Sequence, residues 1–155
     1  MKSPTLSIIL TAANEEKTIE KAIERLILSA KSLLRNDFEL ITVIPDEATR
    51  VKAEQLLKSK FQNVSWIDIK DPHKGKPAAL NLAFKKVRGQ YILLSDGDVY
   101  ISKTSIGVMF DHFKDKKVGA VTGRPVSADK RSTFWGYISH LLADGAHHKR
   151  IVTMT

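Results

Sequence analysis

Cysteine is absent from this chain. A disulfide framework, thiolate metal ligands and a cysteine nucleophile are thereby excluded, and the lack fits a reducing compartment, with the cytoplasm as the expected location. Long hydrophobic runs are also missing. The N-terminal MKSPTLSIILTAANEE turns polar after a short apolar stretch, too short for the core of a signal peptide, and nothing later reaches the ~20 apolar residues a spanning helix needs. Aromatic residues make up only 7% and rarely interleave with lysines, so a base-stacking surface for RNA is not expected, nor nucleic acid as a partner. No internal repeat, low-complexity segment or linker interrupts the chain.

What is present is an ordinary globular mixture, 43% hydrophobic and 27% charged, in 155 residues, so residues 1–155 are expected to form one domain. The net charge of +8 favours anionic partners: phosphates or, at a peripheral location, an acidic membrane surface. The excess is uneven. Through Pro77 there are 13 Lys+Arg against 11 Asp+Glu, and after it 12 against 6.

Hydrophobic periodicity alternates between strand and helix. LSIIL (Leu6 to Leu10), FELITVI (Phe38 to Ile44), VSWIDI (Val64 to Ile69) and QYILLS (Gln90 to Ser95) read as strands, with a fifth at VGAVTG (Val118 to Gly123). Between them, helical spacing runs from Ile19 to Leu34 and from Ala48 to Phe61, and recurs after Pro77, at Ser105 to Phe113 and at Thr133 to Arg150. This order predicts an α/β fold, an open, doubly wound and mostly parallel sheet with helices on both faces. Ligands of such sheets bind outside the carboxyl ends of the strands. Four polar clusters directly follow predicted strands there: Thr11 to Glu16, Pro45 to Glu47, Asp71 to Lys76, and Asp96 to Asp98.

Each cluster carries its own chemistry. Two carboxylates flanking Gly97 repel one another after a buried strand, and a hard divalent cation, Mg²⁺ or Mn²⁺, relieves that repulsion; a strand-ending turn capped by Asp96 is the structural alternative. HKGKPAALN (His73 to Asn81) sets free amides and Lys74 or Lys76 at a helix start, an arrangement suited to an anion, although a solvated helix start would read the same. Asn14 is a natural helix N-cap, with Glu15 and Glu16 favourable in the first turn. Asp46, at the tip of the second strand, suits either a base or ribose contact or the cap of the next helix.

SIILTAANEEKTIEKAIERL, ELITVIPDEAT, GKPAALNLAFKKVRGQYILLSDGDVYIS and VGAVTGRP, in this order, resemble the donor-binding part of family 2 glycosyltransferases with the GT-A (Rossmann-like) fold. The resemblance covers most of Leu6 to Pro125. It implies a nucleotide-diphosphate sugar donor (UDP-, GDP- or dTDP-linked) and nucleoside contacts from the segment holding Thr11, Ala13, Asn14 and Glu15 and from Asp46. It further implies a diphosphate contact at Lys76, with Asp96, Gly97 and Asp98 forming the Asp-x-Asp turn and Mg²⁺ or Mn²⁺ held through Asp98 with help from Asp96. The implied reaction is inverting transfer to an acceptor hydroxyl. Two departures stand out. The second strand ends in PDEAT where the family usually has an Asp-Asp-x-Ser type of turn, so only Asp46 carries over. Relatives also continue into an acceptor subdomain that supplies the general base, so the chain is expected to stop short of it, and no catalytic base is assigned.

Other readings fit less well. Phosphatases of the haloacid dehalogenase type carry Asp-x-Asp near the start, whereas here three strand–helix units precede it and 57 residues follow. A nucleotidyltransferase needs a glycine-rich basic loop where TAANEE stands. A non-catalytic nucleotide-binding module or an inactive fragment is the alternative outside catalysis. In the last helix, His140, Asp144, His147 and His148 recur at helical spacing, a set that suits a metal or phosphate or simply a solvated face opposite Phe134, Ile138, Leu141 and Leu142. Asp144 is the only carboxylate after Asp129.

Overall fold

A computed structural model describes residues 3–153, with side chains through residue 145. The elements are β1 (Leu6–Thr11), α1 (Ile19–Leu34), β2 (Phe38–Ile44), α2 (Glu47–Lys60), β3 (Ser65–Lys70), α3 (Lys76–Phe84), β4 (Tyr91–Asp96), α4 (Ser105–His112) and α5 (Phe134–Thr153). The chain divides into two compact units, the first running through Asp111 and the second starting at His112.

The first unit is a four-stranded parallel sheet in the order β3-β2-β1-β4. Its two central strands are buried along their whole length, because helices cover both faces. On one face Ile8, Leu10, Leu40 and Ile44 pack with Ile23, Leu26 and Ile27 of α1, Ala53 and Leu57 of α2, and Ile106 of α4. On the other, Ile9, Ile41 and Val43 meet Ala79 and Ala83 of α3. This double coverage is why both central strands are dominated by apolar residues on both faces. Chain order reverses between β1 and β4, which makes their carboxyl ends the topological switch point.

The expected doubly wound α/β sheet is therefore present, and two expectations need correction. The Val118 to Gly123 segment is not a strand; residues 118–129 carry no regular structure. Asn14 does not cap α1 either. That helix starts at Ile19 with Thr18 in the cap position, and Asn14 sits four residues earlier with φ 58°.

In the second unit α5 runs from Phe134 to Thr153. Asp144 accepts from Arg124 Nη2 and Arg131 Nη2, each at 2.8 Å, and the hydrogen bond from Arg124, with both arginine charges, holds its carboxyl below the usual range. His140 Nε2 lies 2.9 Å from the Asp129 carbonyl oxygen. The side chains of His147 and His148 fall outside the described residues. No helix among the described residues is long and apolar enough to cross a membrane.

Candidate active site at the carboxyl edge of the sheet

Four loops leave the carboxyl ends of β1 to β4 and enclose a cleft of about 460 Å³. The β1 loop contributes Thr11, Ala12, Ala13 and Glu15; β2 contributes Val43 and Pro45; the β3 loop and α3 contribute Asp71, His73, Gly75, Lys76 and Ala79; β4 contributes Asp96 and Asp98. All four sequence clusters meet in this one place.

At the switch point Thr11 pairs in register with Asp96, and its hydroxyl donates to Asp96 Oδ1 at 2.9 Å. Lys76 reaches across from the first turn of α3 and binds both oxygens of the same carboxylate, at 2.6 and 2.8 Å. The lysine is placed by Gly75, whose φ of 85° turns the chain into α3, and by Pro77 in the first helical turn.

Glu15 is the anomalous group. Its Oε2 is buried with no hydrogen-bond partner, and burial, followed by the charges of Asp98 and Asp96, pushes its carboxyl up to about 7 against the opposing pull of Lys76. Gly97 lies directly behind it: a Cβ at residue 97 would run into Glu15 Oε2 and come within 2.7 Å of Ala12 Cβ. Glycine here is a requirement of close approach. It lets the Asp-x-Asp turn and Glu15 share one corner.

Asp46 does not line the cleft. Its Oδ1 accepts from the Thr49 amide at 2.9 Å, capping α2, and its Oδ2 accepts from the Asn14 amide at 2.8 Å. Burial alone would raise this carboxyl, but the amide bonds from Asn14 and Thr49 outweigh it and hold the group below its ordinary range. The clamp continues through Thr49 Oγ1, which accepts from the Glu15 amide at 2.9 Å. Of the residues singled out from the sequence, Thr11, Ala13, Glu15, Lys76, Asp96 and Asp98 thus line the cleft. Asn14, Asp46 and Gly97 shape it from behind. Asp71 and His73 were visible only as members of a polar cluster, yet both line the cleft, and the position of Asp71 directly after β3 was the available signal.

The donor set of the corner is oxygen-only, with three crowded carboxylates and one orphaned buried oxygen, and this suits a hard divalent cation. Among the described residues no group of three or more His, Asp or Glu side chains encloses a metal unaided. Mg²⁺ and Mn²⁺ sites of this kind use one or two carboxylates and draw their remaining oxygens from water and a substrate diphosphate.

Comparison with known proteins agrees with this geometry. The family model for Glycosyl transferase family 2 matches residues 7–153, and the chain belongs to that family. It is 30% identical over 129 residues to the poly-beta-1,6-N-acetyl-D-glucosamine synthase of Staphylococcus aureus (strain COL), a match that covers 82% of this chain and 30% of that protein; the Staphylococcus epidermidis synthase matches to the same extent. The chain therefore spans less than a third of these relatives. Among solved structures, the mannosyltransferase PcManGT from Pyrobaculum calidifontis, in complex with GDP-Man and Mn²⁺, superposes with a TM-score of 0.70 at 18% identity, over 87% of this chain and 38% of that one. S. aureus TarS 1-349 in complex with UDP-GlcNAc gives 0.57 at 21% identity, over 83% and 38%. At these identities the likeness is one of fold, and the fold is that of the GT-A glycosyltransferases.

Proposed function

We propose that this chain is the donor-binding part of a glycosyltransferase that holds a nucleotide-diphosphate sugar (UDP-, GDP- or dTDP-linked) together with Mg²⁺ or Mn²⁺, for inverting transfer to an acceptor hydroxyl. The observation that carries the reading is the convergence of Asp96, Asp98, Glu15 and Lys76 in one cleft at the switch point of a family 2 domain. Asp98 and Asp96 would hold the cation, which supplies Lewis-acid neutralisation of the diphosphate leaving group. Lys76, now paired with Asp96, is the cation available to the diphosphate once Asp96 engages the metal. The start of α3 adds little to that anion site, because Pro77 has no N–H and the Ala78 and Ala79 amides donate to the Gly75 carbonyl at 3.1 and 3.2 Å. Thr11 keeps Asp96 oriented by its hydroxyl bond, and Ala12 and Ala13 keep the floor of the cleft small enough for close approach.

No residue of the cleft is assigned as general base. Asp144 is bound by two arginines and is not proposed for that role. Thermal melting with UDP-, GDP- and dTDP-sugars, with and without Mn²⁺, tests the reading: at least one donor should raise the melting temperature, and only with the metal present. No shift with any donor, or a shift indifferent to Asp98→Ala, sinks it. Metal-dependent binding without transfer or donor hydrolysis assigns the chain as a binding module.

A further inference from the structure

Along α2, Thr49, Ala53 and Leu57 stand at i, i+4 and i+8, and all three are buried. Alanine and leucine are what the core-facing stripe of a helix calls for; the threonine at its head is not. Thr49 is 0% exposed, at a place that the nearly isosteric valine would fill. Its hydroxyl reaches out of its own helix. Oγ1 accepts from the Glu15 amide at 2.9 Å, 34 residues back along the chain.

That bond completes a backbone fixture. The Glu15 carbonyl accepts from the amides of Thr18 and Ile19 at 3.0 and 2.9 Å, so Glu15 is held through its C=O by the turn into α1 and through its N–H by α2. Just before it, Asn14 adopts φ 58°, uncommon for a residue with a side chain, and donates its amide to Asp46 Oδ2 at 2.8 Å. Asn14 and Glu15 belong to no strand or helix, and the start of α2 supplies the acceptors that their amides need. What the fixture aims is the Glu15 side chain, whose Oε2 occupies the space behind Gly97 in the Asp-x-Asp turn.

Resting on the donor-site reading above, we infer that Thr49 is a positioning residue for the metal corner. Its hydroxyl, through the Glu15 amide, keeps the Glu15 carboxylate against the turn of Asp96 to Asp98 and so strengthens the hold of that turn on Mg²⁺ or Mn²⁺. Thr49 is not among the residues that line the cleft, so its influence passes through Glu15. A carboxylate that drifts away takes negative charge from beside the cation, and loosening a group that supports metal ligands typically costs about 10–100-fold in metal affinity. A threonine serving stability alone would change the melting temperature and leave the metal affinity as it was.

A double-mutant cycle on the full chain separates the two roles. Mn²⁺ is titrated calorimetrically in the presence of UDP, GDP or dTDP into the unaltered chain, Thr49→Val, Thr49→Ser, Glu15→Ala and the Thr49→Val/Glu15→Ala pair, and each is also melted. Valine keeps the branched shape and removes the acceptor; serine keeps the acceptor. Thr49→Ala, which lacks the acceptor and adds no methyl beside the amide, serves the same cycle should valine not fold. Thr49→Val should weaken Mn²⁺ about tenfold with whichever nucleotide supports binding, and Thr49→Ser should restore it to within about twofold. In the Glu15→Ala background Thr49→Val should change Mn²⁺ affinity by less than about twofold, while lowering the melting temperature in both backgrounds. A tenfold loss that recurs without the Glu15 carboxylate overturns the inference, as does a Thr49→Val chain that melts lower and binds Mn²⁺ as before. Failure of the unaltered chain to bind Mn²⁺ with any of the three nucleotides removes the donor-site reading and this inference with it.

Discussion

The two ends of the central sheet both hold acidic and basic side chains against buried backbone, and they treat them oppositely. At the amino end Glu39 is fully buried, yet every direction around it is answered. Its Oε1 accepts from Ser7 Oγ at 2.6 Å and from the Arg88 amide at 3.0 Å, and its Oε2 accepts from Arg88 Nε at 2.8 Å and Nη2 at 2.5 Å. At the carboxyl end three carboxylates converge, Lys76 bonds Asp96 alone among them, and Glu15 Oε2 is buried without a partner. Burying a charge is tolerable when it is paired and hydrogen-bonded and costly when it is not. The saturated end ties β1 and β2 to the segment that leads into β4. The unsaturated end is poised for a ligand, because an added cation improves its electrostatics.

The sharpest way to break this contrast is to unsaturate the structural end. Arg88→Ala should cost about 2–3 kcal/mol in urea unfolding, less than the ~3–5 kcal/mol of a fully buried pair because Arg88 is half-exposed and Ser7 still donates to Glu39. Stability should fall while the nucleotide affinity of the folded fraction holds. The converse change is Asp98→Ala. Its melting temperature should hold or rise, since one source of repulsion on Glu15 is gone, while Mn²⁺-dependent nucleotide affinity drops by at least the about 10–100-fold that follows loss of a group merely supporting a metal ligand. If Asp98→Ala instead destabilises the chain as Arg88→Ala does, the two ends are alike and the contrast is wrong.

Gly97→Ala separates packing from charge at the site. The added methyl meets Glu15 Oε2, Ala12 Cβ at 2.7 Å and Ile19 Cδ1 at 3.1 Å, so overpacking should cost about 1–3 kcal/mol in thermal or urea unfolding. Combined with Glu15→Ala, which removes the carboxylate, only part of that loss should be recovered, because Ala12 Cβ still stands 2.7 Å away. Full recovery would place the obstruction at Glu15 alone.

Much of this arrangement was legible because it depends on local pattern. β1 and β2 read as mainly apolar runs since both faces are covered, and the polar clusters after each strand converge as a consequence of parallel topology alone. What escaped depends on partners distant in sequence. Asn14 has the composition of a cap, but its amide is claimed by Asp46, 32 residues away, and an extra turn from Glu15 to Thr18 precedes α1. VGAVTG has strand-like residues, but a strand exists only through pairing, and residues 118–123 carry no regular structure. Asp46 drew notice ahead of Asp71 because the resemblance pointed to it; only the fold shows which of the two faces the cleft.

Solvent screening at the partly exposed Glu15 makes its proton linkage the smallest effect, and there the two ends of the sheet should differ in their response to pH. The Glu15 carboxyl lies at about 7 in the folded chain against an ordinary value of 4.5, so between those values the folded state binds more protons than the unfolded state. Stability then falls as pH rises from about 4.5 to 7, and the loss is complete above the folded value. The sign is the reverse of that for Asp46, whose lowered carboxyl contributes stability that disappears only as the solution becomes acidic. Urea unfolding at half-unit intervals should show a shallow decline across the 4.5 to 7 window, absent in Glu15→Gln, which cannot ionise. Millimolar Mn²⁺ should flatten the decline in the unaltered chain, because a cation beside Asp96 and Asp98 cancels the repulsion that keeps Glu15 protonated. A decline that persists unchanged in Glu15→Gln would assign the linkage to another group and remove Glu15 from the ionising part of the site.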